Sequence, residues 1–139
     1  MTLRTGSIIA TLCALLACIV PGAGRAAQPV ALSHELRVDL SEWAAVPSDG
    51  VVAAGPLRVK VANYGRLFHE LEIVPTRTWG EQLPVRAGRA VGDPRARPIV
   101  VAPGRAKSAW VVLQPGFYVL MDNIPGHYAA GAAISIVVL

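Results

Sequence analysis

Three short runs of this chain, "LRVDL" (36–40), "LRVKVA" (57–62) and "HELEIV" (69–74), set apolar residues against polar ones in steps of two. A period of two belongs to an extended backbone, whose successive side chains point to opposite faces and bury only one of them. Leu36, Val38 and Leu40 share a face opposite Arg37 and Asp39, and Leu57, Val59 and Val61 share one opposite Arg58 and Lys60. In the third run His69 lies with Leu71 and Ile73, opposite Glu70 and Glu72, so the imidazole is aimed at the core. Three further β-rich runs follow, "AWVVL" (109–113), "FYVLM" (117–121) and "AISIVVL" (133–139), with the turn Gln114-Pro115-Gly116 between the first two. Short strands at intervals of about 8 to 12 residues, with no helical period among them, predict an all-β fold, an antiparallel sandwich or barrel. Asn63-Tyr64-Gly65 reads as a turn, because Asn and Gly adopt positive φ at little cost. Residues 75–98, rich in Pro, Gly and Arg, are expected to form a long loop or flap over one end, with a short helical turn near Glu81.

The first residues read differently. Arg4 precedes the apolar stretch "SIIATLCALLACIV", and Gly24-Arg25-Ala26 offers small residues at the first and third positions before a cut. This is the layout of an export signal over 1–26 with cleavage before Ala27. The rival reading takes "LLAC" as a lipobox with Cys18 as the lipidated N-terminus, and cleavage before Ala27 is preferred to it. Residues 27–139 then form one domain, too short for two cores. They lack cysteine altogether, since Cys13 and Cys18 both precede them, which excludes a disulfide or a thiolate ligand. Loss of Arg4 and Arg25 lowers the formal charge from +4 to +2, too mild for a nucleic-acid partner. No transmembrane span is expected in the mature chain. The partner expected is an unidentified protein of the periplasm, and Arg77, Arg86, Arg89, Arg95 and Arg97 of the long loop could offer a docking surface for an acidic partner or an anionic lipid. A merely solvated loop explains those arginines too, and is preferred.

His127 sits after Pro125-Gly126, just before the last strand, as His69 sits just after a turn. Loops cluster at the ends of a sandwich, so histidines 58 positions apart can meet there. Around them, "VANYGRLFHELEIVPT" (61–76) resembles the cupredoxin pattern N-x-G-x-x-x-H before an apolar strand. "GFYVLMDNIPGHYAAGAA" (116–133) resembles that family's C-terminal loop, G-x-Y-x-x-x-C-x-x-P-G-H-x-x-x-G-M. Between them "APGRAKSAWVVLQPGFY" resembles the family's penultimate hairpin. The resemblance implies a Greek-key β-sandwich or barrel in which His69 and His127 are copper ligands. It also implies that Asp122 stands where the family has its cysteine and Ala132 where it has its axial methionine. Asn63, Gly65, Pro125 and Gly126 shape the loops around the site.

A blue-copper centre needs a thiolate, which supports Cu(I) and delocalises the transferred electron. An oxygen donor beside two imidazoles suits Cu(II), with Zn(II) as an alternative, and a water completing the sphere gives a type 2 rather than a type 1 centre. Met121 does not replace the cysteine, because it points to the opposite face of the strand from Asp122. The expectation is an exported copper-handling protein more than an electron carrier. The alternative is a metal-free scaffold that joins His69, Asp122 and His127 by hydrogen bonds and acts as an interaction domain. No Ser-His-Asp or Cys-His signature points to an enzyme. Tyr118 and Tyr128 are expected to be packing residues, and His34 with Glu35 is left outside the site.

Overall fold

The structure, a computed structural model, describes residues 31–139. The signal segment 1–26, its cleavage point before Ala27 and the lipobox Cys18 lie outside the described residues. Every regular element described is a strand: β1 (Glu35–Ser41), β2 (Ala44–Pro47), β3 (Val51–Val52), β4 (Gly55–Asn63), β5 (His69–Thr76), β6 (Val85–Arg86), β7 (Arg89–Ala90), β8 (Ile99–Val101), β9 (Ala106–Leu113), β10 (Gly116–Asp122) and β11 (Ala133–Val138). One sheet has the order β2-β1-β4-β9, the other β3-β11-β10-β5-β8, and β6 and β7 form a small hairpin apart.

The alternating runs fill the space between the two large sheets. Leu36, Val38 and Leu40 of β1 and Leu57, Val59 and Val61 of β4 meet Leu71, Val101, Leu120, Ile136 and Val138 from the other sheet in one apolar core. Tyr118 joins that core, and its hydroxyl donates to the Gln114 carbonyl at 3.0 Å, holding the corner that opens β10. A second, smaller cluster lies on the outer face of β10, where Val119 and Met121 pack with Val74, Ala90 and Tyr128. With both faces covered, "YVLMD" is buried along its whole length, which explains why it reads as a continuous apolar run while β1 and β4 alternate.

Three expectations need correction. The sheets are mixed, since β1 runs parallel to β4 and β11 parallel to β3. The cause is β3, which leaves the first sheet to pair with β11, so that the chain returns in β4 running the same way as β1. The segment that resembles a penultimate hairpin forms none. β9 pairs with β4 and β10 with β5 and β11, and the Gln114–Gly116 corner carries the chain from one sheet to the other. No helix forms near Glu81; a bend closed by the Glu81 amide on the Thr78 carbonyl (3.4 Å) stands there, and the long loop contains the β6–β7 hairpin. Ala87 and Gly88 turn that hairpin with positive φ at both positions, the geometry that matches strand twist in a two-residue turn.

Candidate metal centre

The parity that buries the apolar runs also carries their end residues inward. Asn63 follows Val61 by one step on β4, Asp122 follows Leu120 on β10, and His69 precedes Leu71 on β5. All three residues lie at one end of the sandwich and all are buried, as are Asn123 and His127, which with them make up the buried polar and charged residues of the described chain. An apolar core thus ends in a polar layer.

Asp122 is the centre of that layer. Its Oδ2 lies 2.6 Å from His69 Nδ1 and within hydrogen-bond reach of His127 Nδ1. Oδ1 is already used, accepting from the Glu70 amide at 2.9 Å and the Ile124 amide at 3.3 Å. The carboxylate is thereby fixed with one oxygen between two imidazoles, whose ring centroids are 5.3 Å apart. One ligand atom from each of His69, Asp122 and His127 lies within 4.8 Å of the others, so the two histidines do meet and the oxygen donor stands with them. His69 and Asp122 are closed to solvent and His127 is 4% exposed. Met121 faces the outer cluster, away from this point.

The loop before His69 is held by Asn63, whose amide donates to the carbonyls of Leu67 (2.8 Å) and Val101 (3.0 Å) and whose Oδ1 accepts from the Gly65 amide (2.8 Å). The turn reading of Asn63-Tyr64-Gly65 holds, but its reason does not: neither Asn63 nor Gly65 has positive φ. Glycine is required for space, because a Cβ at Gly65 would stand 2.6 Å from His69 Nε2. After Asp122, Gly126 does take positive φ (90°), and its amide donates to the Gly88 carbonyl at 2.8 Å, so Pro125-Gly126 rests on the turn of the β6–β7 hairpin. Ala132 is fully buried, and its carbonyl accepts from the Asp122 amide at 2.9 Å.

Two features escaped the sequence. Asn123 locks the long loop to the site: Oδ1 accepts from the Ala90 amide (2.8 Å), and the side-chain amide donates to Glu72 (2.9 Å) and to the Ala90 carbonyl (3.2 Å). Tyr128 adds a bond from the Leu83 amide (2.8 Å), and Arg89 pairs with Glu70 at 3.0 Å, which raises its pKa. Of the five loop arginines, Arg89 and Arg77 are thus engaged within the chain, the latter on Glu81 at 2.9 Å. The second feature is the β1–β2 tip, where Trp43, 60% exposed, stands edge-on to His127 at 5.3 Å, and the Glu42 carboxylate accepts from the Arg66 amide. That bond, foremost, holds the Glu42 carboxyl below the usual carboxylate range. The only local signal was "SEW", polar residues breaking the alternation between two strands.

No protein-family model and no curated protein matches the sequence. Solved structures do match. Reduced auracyanin from the photosynthetic bacterium Roseiflexus castenholzii is 19% identical, with a TM-score of 0.56 over 78% of this chain and 99% of that one. Auracyanin B is 17% identical (TM-score 0.55, 81% and 93%), and rusticyanin, a copper protein by its description, is 19% identical (TM-score 0.52, 77% and 79%). The fold is that of the cupredoxins. The Greek-key sandwich inferred from strand parity and from the loop motifs is therefore the one the chain adopts, with the polar layer at one end.

Proposed function

We propose that this cupredoxin-like chain is an exported protein that binds copper at His69, His127 and Asp122 in a non-blue, type 2-like centre. It serves copper storage, delivery or sensing more than electron transfer. One observation carries the reading: a single fixed carboxylate oxygen faces the Nδ1 atoms of two buried imidazoles at the end of a scaffold shared with a copper protein. The donor set fits a divalent ion, since imidazole and carboxylate suit Cu(II) and Zn(II) whereas the absence of thiolate removes the ligand that favours Cu(I). Bound copper would supply a Lewis-acidic, oxidised ion. The chain's own part is to keep the carboxylate aimed through the Glu70 and Ile124 amides, and to cover the His127 edge with Trp43. The reading assigns no catalysis to a cluster so nearly closed to solvent.

A second reading rests on the same contacts: Asp122 Oδ2 already accepts from both rings, and a bound ion would have to widen those separations. In that case the His-Asp-His unit is a structural link, and the domain acts as a metal-free interaction module.

Titration of residues 27–139 with Cu(II) and Zn(II) separates the two. The expected result is stoichiometric binding, lost in His69→Ala, with a pale or colourless copper form. An intense blue band would overturn the ligand set, because that absorption requires thiolate-to-copper charge transfer. The double variant Asp122→Cys/Ala132→Met, which restores the soft donors without changing loop length, is expected to turn blue with copper. Failure of both wild type and double variant to bind would favour the metal-free reading.

A further inference from the structure

Among the described residues, two buried side-chain atoms have no hydrogen-bond partner, and one is His69 Nε2. Its neighbour across Gly65 is the Glu42 carboxylate. A Cβ placed on Gly65 would lie 2.6 Å from Nε2 and 2.7 and 2.9 Å from the two Glu42 oxygens, so ring nitrogen and carboxylate border the same space beside the bare Cα without bonding to each other. In a neutral ring whose Nδ1 donates to Asp122, Nε2 carries the bare lone pair. A cation taken by Nδ1 requires the other tautomer, with the proton on Nε2, and a buried N–H without an acceptor is costly. Metal-bound histidines commonly donate their second N–H to a carboxylate, which fixes the ring and raises its basicity.

We infer that Glu42 is a positioning residue for the metal centre: its carboxylate, across Gly65, is the acceptor that His69 Nε2–H takes when Nδ1 turns from Asp122 to a cation. This rests on the metal reading above and adds a residue that never touches the ion. The proton that Nδ1 gives up reappears on Nε2, so His69 releases no net proton. Oε1 of Glu42 stays on the Arg66 amide, tying the 64–68 loop to the β1–β2 tip, while the second oxygen serves the ring. The Glu42 and Trp43 pair then supports both imidazoles from one turn, Glu42 behind His69 and Trp43 against His127.

The test uses Cu(II) and Zn(II) titration together with the 15N shifts of the His69 ring nitrogens, with and without Zn(II). Glu42→Gln keeps a carbonyl oxygen for the Arg66 amide but turns an NH2 donor toward Nε2, which favours the lone pair there. Affinity is expected to fall about 10- to 100-fold, the usual effect of losing such an outer carboxylate. The ring is expected to hold its proton on Nδ1 more strongly, and the metal-free chain to remain folded. Gly65→Ala, whose Cβ would separate the two groups, is expected to weaken binding in the same direction. If the wild-type chain binds Zn(II) and Glu42→Gln binds it within threefold, with the same His69 proton on Nε2, the inference is wrong while the metal reading stands. A wild-type chain that binds neither ion overturns both.

Discussion

The space between the sheets and the polar layer at its end are built from the same strands, yet they respond to damage in different ways. The apolar core is assembled from many interchangeable parts, with Leu36, Leu57, Leu71, Leu120 and Ile136 each contributing area, so a loss at one is local. The polar layer is a unit. Asp122 alone satisfies two imidazoles and two backbone amides, so removing it leaves four donors at once without their partner, the two imidazoles in a place nearly closed to solvent. Hydrophobic burial tolerates rearrangement, whereas a buried polar group without a partner incurs the full cost of its lost hydration.

The largest effect should follow from Asp122→Ala. Breaking a buried charged network from one side costs about 3–5 kcal/mol, and denaturant unfolding with and without Zn(II) should show both that loss and the loss of any metal stabilisation. The sharper form replaces His69, Asp122 and His127 together with leucine. If the layer is kept for ligand binding and not for stability, the triple variant should unfold at a higher denaturant concentration than Asp122→Ala, because no imidazole is left unpaired and only the Glu70 and Ile124 amides lose their acceptor. A triple variant less stable than Asp122→Ala would show that the layer is part of the fold's specification, and the comparison would fail.

Leu120→Ala tests the other region two residues away on the same strand face. Its side chain is wholly buried between the sheets, and the cavity left should cost about 3 kcal/mol. Metal affinity should stay within a few fold, since Asp122 is held by amides from β5 and the loop beyond. A large drop in affinity would mean that the core and the layer are coupled through β10.

Asn123→Ala should cost less, about 2 kcal/mol. It frees the Ala90 amide and carbonyl and the Glu72 contact, all at the edge where the β6–β7 hairpin meets the site. Hydrogen exchange should rise at Ala90 and across 83–92 while the β1 and β4 amides remain protected, which separates a loosened flap from a loosened sandwich.

How much of this could be read from the sequence follows the same division. Parity is local, so the inward faces of β1, β4 and β5 and the direction of His69 were legible from runs of five or six residues. His127, Asp122 and the loop residues around them were legible because the loop motifs fix their order and spacing. Sheet partners were not, because nothing in "LQPGFY" states that β9 and β10 belong to different sheets, and a hairpin and a sheet-to-sheet corner use the same turn residues. Glu42, Trp43 and Asn123 were hidden for a related reason: each acts on a residue from another strand or loop. Gly65 was singled out for its backbone freedom, when what it supplies is room between Glu42 and His69.

The smallest effect lies at the exposed end of the long loop. The Arg77 side chain is 91% exposed and pairs with Glu81, and exposed pairs contribute little because water and salt screen them. The pair is not even the sole tie, since the Arg77 amide donates to the other Glu81 oxygen at 2.6 Å and survives any change of side chain. Both bonds, the guanidinium foremost, hold the Glu81 carboxyl below its ordinary value. A depressed carboxyl stabilises the folded state above its unfolded pKa and loses that contribution as pH falls through the lowered folded value. Arg77→Ala should therefore leave the melting temperature unresolved from wild type at neutral pH, and any difference should vanish toward acid and in high salt. A clear loss at neutral pH that persists in salt would show that Arg77 packs as well as pairs. It would also move the loop from the class of screened surface into that of the polar layer.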